Sequence, residues 1–329
     1  MPPPIPTLSA ETTRVRAFAE QVRAEMHKTL VGQEELIDML LVAVLSEGHI
    51  LLEGVPGTAK TLAIRTLAAV FQVAFARIQF TPDLMPSDII GTNVFDPRTG
   101  EFHLKQGPLF AGLVLADEVN RTPPKTQSAL LEAMEERQVT IDGVSHALPS
   151  PFLVCATQNP IEYEGTYPLP EAQLDRFMLK VVIGYPSKEE EKLIIRQNMA
   201  AESPKVNQVV RTEDIIKARG LVREVYMDEK IEKYIVDIVF ATRHPKQYNL
   251  GRIEQLISYG GSPRASINLA LASKAYAFIK RRGYVIPEDV RAVCHDVMRH
   301  RVGITYEAEA ENVTSESLIN EILNTVEVP

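Results

Sequence analysis

The sequence of 329 residues predicts an α/β fold, in which a three-layer αβα core with a parallel sheet precedes an all-helical domain. Up to about residue 186, short continuous apolar runs alternate with helical patterns, as in sheets covered by helices on both faces. Beyond that point the strand signals fade. A chain of this length suits two domains. We expect a flexible N-terminus over residues 1–10, the αβα core over 11–186 and the helical domain over 187–329.

The first apolar run, residues 49–52, leads into a glycine-containing loop and then into a helical pattern over residues 62–70. Strand, glycine-rich loop and helix form the context of a phosphate-binding loop, whose amides and helix N-terminus bind an anion. In that context Lys60 reaches the β- and γ-phosphates, and the Thr61 hydroxyl binds Mg²⁺. The sequence of the loop is Glu53-Gly54-Val55-Pro56-Gly57-Thr58-Ala59-Lys60-Thr61.

One position departs from the usual pattern, because Ala59 precedes the lysine where glycine is expected. Alanine fits poorly there if the backbone requires a positive φ. The alternative to a phosphate site is an ordinary strand-to-helix turn. The correct Lys-Thr spacing and both flanking patterns favour nucleotide binding.

A second apolar run, residues 112–116, ends in the adjacent carboxylates Asp117 and Glu118. Ligands of open α/β sheets bind at the carboxyl ends of the strands. Neighbouring strand residues point to opposite sides, so the two acids should have different roles. We assign Asp117 to the Mg²⁺ shell and Glu118 to polarising the attacking water. A solvated strand end is the alternative, but the upstream phosphate loop makes it less plausible.

Asn159 follows a further buried run, residues 152–157, and so falls at another strand's carboxyl end. Its amide could hold the γ-phosphate or the water. Considered alone, the Asn159-Pro160 pair is better explained as the start of a turn.

Two arginines sit at the ends of predicted helices. Arg176 lies near the C-terminal end of a short helix over residues 170–178, where the helix dipole favours a cation. Arg264 lies in the first turn of a helix over 264–282 that Ser262 and Pro263 begin. There a cation opposes the dipole by roughly 0.3–1 kcal/mol, unless a phosphate lies opposite.

Two hairpins are predicted within the core, one over residues 93–103 and one over 139–148 around Asp142-Gly143. An N-terminal helix with Val15, Phe18, Val22, Met26 and Leu30 on one face precedes a helix from about residue 34. In the C-terminal domain we expect further helices near 187–199, 212–224, 228–242, 287–299 and 315–325.

The amino-acid composition argues against several classes of protein and several kinds of site. The formal net charge of -8 argues against a general affinity for nucleic acid. Two cysteines provide neither a disulfide framework nor a cysteine-rich zinc site, and Cys155 is expected to be a buried apolar residue. The histidines form no metal-binding cluster, so Mg²⁺ is the only metal expected. With no signal peptide and no long apolar segment, we predict a cytoplasmic protein.

Four segments in this order resemble those of AAA+ ATPases, most closely the MoxR group, with magnesium-chelatase ATPase subunits as relatives. They are Gly54–Thr61, Leu115–Arg121, Ala156–Pro160 and Pro170–Phe177, within a similarity that spans about residues 12–305. An alanine at position 59 is itself characteristic of MoxR proteins.

The resemblance implies roles for these residues. Asp117 and Glu118 would form Walker B, Asn159 would be sensor 1, and Val31 and Gly32 would lie near adenine. Arg176 would be an arginine finger acting on ATP held by a neighbouring subunit, and Arg264 would be sensor 2. The hairpin over 93–103 matches the helix-2 insert. Walker A would comprise Gly54, Val55, Pro56, Gly57, Thr58, Ala59, Lys60, Thr61 and Leu62.

The resemblance further implies a homo-oligomeric ring, usually a hexamer, that binds ATP and Mg²⁺ and acts as a chaperone-like remodeller of a protein client. A protein with a von Willebrand factor A domain is the implied partner. Two alternatives remain: a nucleic-acid-dependent motor, which the net charge disfavours, and a nucleotide-switched scaffold with little turnover. A GTPase fits less well because the sequence has no Asn-Lys-x-Asp guanine motif.

Overall fold

The structure, a computed structural model, describes residues 19–160, 165–199 and 204–329. In its first half, strands and helices alternate. In chain order the elements are helical residues 19–26 (α1), α2 (Glu34–Leu45), β1 (Ile50–Gly54), α3 (Lys60–Val70), β2 (Phe75–Gln79), α4 (Pro86–Ile90), β3 (Gly91–Asp96), β4 (Glu101–Gln106), β5 (Leu113–Asp117), α5 (Pro124–Glu136), β6 (Gln138–Ile141), β7 (Val144–Ala147), β8 (Leu153–Gln158), α6 (Glu171–Leu174) and β9 (Leu179–Ile183).

Five of these strands form one parallel sheet in the order β2-β5-β8-β1-β9. Ile50 at the start of β1 pairs with Cys155 of β8 on one side and with Leu179 of β9 on the other. Because every pair is parallel, the carboxyl ends of all five strands lie along the same edge of the sheet. The loops that carry the predicted site residues start from this edge.

Helices cover both faces of the sheet, as the continuous apolar runs predict. Leu52, Leu115 and Cys155 pack into a core with α2 and α3, whereas Val114 and Ala156 pack into a second core with α5. All five side chains are fully buried. The three-layer αβα prediction is therefore confirmed, and so is the expectation that Cys155 is a buried apolar residue.

The two predicted hairpins are present. The first is longer than expected, over residues 91–106, and the second has the expected length but lies one residue earlier, over 138–147. Strands β3 and β4 form one, and β6 and β7 form the other. Asp142 and Gly143 both have positive φ (50° and 81°), as a tight two-residue turn requires. Asn93 Nδ2 donates to Asp142 Oδ2 at 2.7 Å, so the hairpins touch. In the first hairpin the Phe95 and Phe102 rings are exposed and 5.2 Å apart.

After β9 the described residues are mainly helical, as predicted. The C-terminal elements are α7 (Lys188–Asn198), α8 (Thr212–Arg223), α9 (Glu229–Arg243), β10 (Ile257–Tyr259), α10 (Pro263–Ile279), α11 (Pro287–Met298), β11 (Gly303–Ile304), α12 (Tyr306–Ala310) and α13 (Ser315–Thr325). The small antiparallel pair of β10 and β11 was not predicted. In the part of the chain that the structure describes, we find no helix that is both apolar and long enough to span a bilayer.

The helical C-terminal part packs against α2 and the β9 edge of the core. Ser46 Oγ donates to the Leu271 carbonyl of α10, and Lys280 Nζ forms an ion pair with Asp38 of α2 at 3.0 Å. The short helix predicted over 170–178 is helical only over α6, and residues 175–178 turn directly into β9.

The structure describes only part of the N-terminal region for which predictions were made. Val22, Met26 and Leu30 of the predicted first helix are buried. The flexible segment over residues 1–10, and the remaining two face residues, Val15 and Phe18, lie outside the described residues.

Candidate nucleotide-binding site

The glycine-containing loop connects β1 to α3, as the sequence predicts. Gly57 has φ 86°, and Ala59, the residue before α3, has φ 62°. Ala59 therefore adopts the left-handed conformation that favours glycine, at a cost of roughly 1–2 kcal/mol for an L-residue. The alanine is accommodated by strain rather than by a right-handed backbone.

Side chains inside the loop bind its own carbonyls. Thr58, which is buried, donates through Oγ1 to the Val55 carbonyl at 2.9 Å. Lys60 Nζ donates to the carbonyls of Gly54 and Val55, the second at 3.2 Å. The lysine thus lies along the loop rather than pointing into solvent.

A cavity of about 500 Å³ opens at this loop. Its size is in the range of sites for small molecules and cofactors. The loop, the carboxylates at the end of β5, the end of β8 and α7 all contribute to its wall. The lining residues are Thr29, Leu30, Val31, Gln33, Pro56, Gly57, Thr58, Ala59, Lys60, Thr61, Leu62, Asp117, Glu118, Thr157, Gln158, Asn159, Pro186, Ile194, Gln197 and Asn198.

Lys60 is half-buried among acids in this cavity. Burial lowers the pKa of its ammonium group, while the charges of Asp117, Glu118 and Glu53 oppose that shift. A cation beside amides at the start of a helix is the arrangement that binds phosphate groups.

Asp117 is buried and oriented by two neighbours. Its Oδ1 accepts a hydrogen bond from Thr157 Oγ1 at 2.7 Å, and its Oδ2 pairs with Arg77 Nη2 at 2.6 Å. Arg77 belongs to β2, the strand beside β5. The carboxylate is therefore fixed from both adjacent strands.

The Glu118 side chain has different partners from the Asp117 side chain, although the two residues do not follow each other within one strand. Glu118 follows the end of β5 in a left-handed conformation with φ 58°. Its backbone N–H donates to Thr157 Oγ1 at 2.8 Å, and its Oε2 accepts from Gln79 Nε2 at 3.0 Å. Arg121 Nε lies 3.2 Å from the same oxygen. This turn brings both acids to one cavity.

The residues predicted to bind Mg²⁺ suit that ion. The Thr61 hydroxyl and the Asp117 carboxylate line the same cavity, and both offer the oxygen ligands that Mg²⁺ prefers. When bound there, Mg²⁺ would neutralise charge on the phosphates. In the described residues, no cluster of three or more His, Cys, Asp or Glu side chains forms another candidate metal site.

The opposite end of the cavity lies between the loop before α2 and helix α7. Val31 and Gln33 line it with Ile194 and Asn198. Gly32 does not line the cavity; it has φ 66°, and a Cβ there would collide with the Glu190 side chain at the start of α7. The positive φ favours glycine at this position, and the Glu190 side chain of α7 packs directly against it.

Comparisons with known proteins agree with this geometry. A model for the ATPase family associated with various cellular activities (AAA) matches residues 49–179, and a model for the AAA lid domain matches residues 250–322. Chaperone MoxR1 of Mycobacterium tuberculosis is 48% identical over 310 residues, which cover 94% of this chain and 82% of that protein. The chain belongs to the MoxR family of AAA+ ATPases.

Other relatives share this similarity along nearly their whole length. The uncharacterized protein YeaC of Bacillus subtilis is 45% identical, with 92% of each chain covered. Protein MoxR of Paracoccus denitrificans is 29% identical, with 93% of this chain and 95% of that protein covered. A crystal structure of a candidate ATPase from Cytophaga hutchinsonii superposes with a TM-score of 0.91 at 47% identity and 97% coverage of both chains. The AAA+ core with a helical lid is thus shown.

Two residues that the MoxR resemblance assigns to catalysis lie outside the cavity of their own chain. Arg176 lines a separate surface pocket with Glu132 and Glu136 of α5. Arg264 Nη2 forms an ion pair with Glu135 of the same helix at 2.7 Å. Residues three and four apart on a helix share one face. Both arginines therefore lie beside the acidic face of α5.

Sequence reasoning missed several residues of this MoxR site. Thr157 precedes Asn159 by two positions at the end of β8, and alternation along that strand could have indicated it. Arg77 and Gln79 reach the carboxylates only because β2 lies next to β5, which no local pattern in the sequence predicts. The residues of α7 that line the cavity follow from the packing of the lid on the core.

Proposed function

We propose that this protein binds ATP with Mg²⁺ in the cavity described above and hydrolyses it only where a second copy of the chain supplies an arginine. One observation carries the proposal. The cavity contains a lysine, an acid and an amide suited to phosphoryl transfer to water, namely Lys60, Glu118 and Asn159, whereas Arg176 lies on another surface.

Different residues of the cavity have different roles in hydrolysis. The loop amides and Lys60 bind the phosphates and neutralise their charge. Glu118 polarises the attacking water, and its bonds to Gln79 and Arg121 hold its carboxylate in place. Asn159, buried at the wall, contacts the γ-phosphate or the water.

Arg176 and Arg264 act on the nucleotide of the neighbouring subunit. Their shared position beside the acidic face of α5 supports this role, since neither reaches the cavity of its own chain. Among the described residues, the guanidinium of Arg176 has no hydrogen-bond or ion-pair partner. Such a side chain is available to a second subunit, and a closed ring lets each copy serve the next.

The hydrolysis drives a chaperone-like function in a ring, for which the hexamer implied by the resemblance is our proposal. The relative named Chaperone MoxR1 supports that class of function. We also propose that the ring acts on a client protein and binds a partner that has a von Willebrand factor A domain. A Glu118→Gln variant loaded with ATP would serve as bait for both, and salt-sensitive stimulation of turnover by DNA would favour the nucleic-acid motor instead.

Mixing two inactive variants tests the proposal. Arg176→Ala keeps a complete cavity, whereas Glu118→Gln keeps the arginine. Each alone should lose most turnover, since an arginine finger supplied in trans is worth about 10³–10⁵ in rate. An equal mixture should recover about a quarter of the wild-type rate, because in a randomly assembled ring about one contact in four joins an intact cavity to an intact arginine.

The matched control replaces the first variant with Lys60→Ala. That variant has an intact Arg176 but a cavity unable to hold the triphosphate, so its mixture with Glu118→Gln contains no working cavity and should stay inactive. Wild-type turnover by Arg176→Ala alone would contradict the proposal. So would an inactive mixture in which both variants are shown to assemble together.

A further inference from the structure

Arg176 lies in a short connection between two elements, directly before the buried side chains of Phe177 and Met178. It follows α6, a helix of only four residues, and β9 begins three residues later at Leu179. The Arg176 N–H donates to the Gln173 carbonyl at 3.2 Å, and contacts from the lid add to this local turn.

Two lid residues bind the backbone on both sides of that arginine. Arg301, which is 3% exposed, donates to the carbonyls of Asp175 at 3.0 Å, Phe177 at 2.7 Å and Met178 at 3.1 Å. Its Nε also pairs with Asp175 Oδ1 at 2.6 Å. His300 Nε2 donates to the Phe177 carbonyl at 3.0 Å.

Two further lid side chains reach the same segment. Ser262 Oγ donates to Asp175 Oδ2 at 3.3 Å, and Ser262 precedes Arg264 by two residues. Tyr259 lines a surface pocket together with Glu171 at the start of α6. Burial, together with the charge of Glu171, raises the pKa of the Tyr259 hydroxyl to about 12. We call Tyr259, Ser262, His300 and Arg301 the lid clasp.

The chemistry of Arg301 suits it to fixing a backbone. A guanidinium presents five N–H donors in a planar fork, so one side chain can bind several acceptors in a fixed geometry. Here the fork spans the residues before and after Arg176. The same clasp, through Ser262, connects Asp175 to the start of α10, which carries Arg264.

We propose that Arg301 and Asp175 are positioning residues that set Arg176 against the neighbouring subunit's nucleotide, so that the orientation of the lid controls the rate of hydrolysis in the next subunit. This inference rests on the proposed function, because it requires Arg176 to act in trans. On this inference the lid regulates hydrolysis in the cavity of the neighbouring subunit and also forms part of the wall of the cavity in its own chain.

Arg301→Lys is the first test, because lysine keeps the charge but loses the planar fork. Asp175→Asn is the second, because it keeps the shape of the side chain and removes its charge. Each variant should reduce kcat by roughly tenfold to a hundredfold, the effect expected of a catalytic group displaced by about 1 Å. The KM for ATP and the Kd for MgATP should stay unchanged, since the cavity of the same chain is intact.

Mixing with Glu118→Gln separates positioning from a general structural defect. Subunits of Glu118→Gln bring a correctly held Arg176, so an equal mixture with Arg301→Lys should exceed the summed rates of the two components. Lys280→Met is the matched control, because it breaks a different ion pair between lid and core, with Asp38. It should keep the wild-type kcat.

These experiments distinguish a failure of the clasp from a failure of the proposed function. A normal kcat for both clasp variants, or a low kcat that Glu118→Gln fails to restore, would overturn the inference. The mixture of Arg176→Ala with Glu118→Gln reports separately on the proposed function: if it recovers activity while the clasp mixture does not, only the clasp is wrong. If Arg301→Lys does not fold, judged by circular dichroism and MgATP binding, Asp175→Asn decides alone.

Discussion

At the scale of single residues, Ala59 shows that the phosphate loop of this protein is strained. The position has φ 62°, which glycine adopts freely and alanine does not. Strain at a ligand-binding loop persists when the surrounding structure fixes the backbone. The flanking β1 and α3, each packed into the core, do so here.

We predict that Ala59→Gly raises the free energy of unfolding by roughly 0.5–1 kcal/mol, because relief of the left-handed strain exceeds the added flexibility of the unfolded chain. Urea denaturation would measure it. Ala69→Gly, at an exposed position of α3, is the control and should lower the free energy of unfolding by up to about 1 kcal/mol. Equal losses in the two variants would show that Ala59 is not strained.

The Glu118 carboxylate gives a second prediction at this scale. Glu118→Gln should bind ATP with nearly wild-type affinity, because the phosphate loop and Lys60 are unchanged, but turnover should fall by about 10²–10⁴-fold. Equilibrium binding and steady-state phosphate release would measure the two properties. Turnover within a factor of a few of wild type would remove Glu118 from catalysis.

At the scale of elements, His49 joins three parts of the core. It lies just before β1; its Nε2 donates to the Met134 carbonyl of α5, and its Nδ1 accepts from the Val154 N–H of β8 at 3.0 Å. Both bonds require the neutral ring with the proton on Nε2. Burial lowers the pKa of this imidazole from 6.5 to about 4.

We therefore predict that His49 makes stability depend on pH. In the unfolded chain the ring takes up a proton below about pH 6.5, whereas in the folded chain it does so only near pH 4. The free energy of unfolding should fall as pH drops through that window, by up to about 3 kcal/mol.

The measurement is the difference between wild type and His49→Gln across this window. The difference between the two proteins is needed because other buried groups also titrate. Burial lowers the pKa of His300, so this histidine also lowers the free energy of unfolding as pH drops. Burial raises the pKa of Asp296 to about 7, so this carboxyl raises the free energy of unfolding as pH drops. Parallel pH profiles for the two proteins would contradict the role given to His49.

The elements around the site could largely be predicted from sequence. Three parts of the cavity wall follow from local patterns in the sequence. They are the loop before Lys60 and the ends of the two apolar runs that lead to Asp117 and Asn159. By contrast, β10, β11 and α12 have only two to five residues, too few for a periodic pattern to show. The contacts of Arg77 and Gln79 depend on the order of strands, which arises from packing of the whole sheet.

At the scale of the whole molecule, the residues that we propose to act in catalysis lie on two separate surfaces. The cavity lies between the phosphate loop and α7, and the two arginines lie beside α5. No local pattern could predict that Arg264 and Arg176 would both lie beside α5, because the contact of Arg264 with α5 comes from the way the lid packs on the core. Under the proposed function, a chain built in this way needs a neighbouring copy to complete its site.

The most direct test of this account is the rate of ATP hydrolysis per chain measured over a series of protein concentrations, with the molecular mass determined at each point. The account predicts that the rate per chain rises as the chains associate and then levels off, while Arg176→Ala associates equally but stays near its basal rate. A rate per chain that stays constant down to concentrations where the protein is monomeric would contradict it.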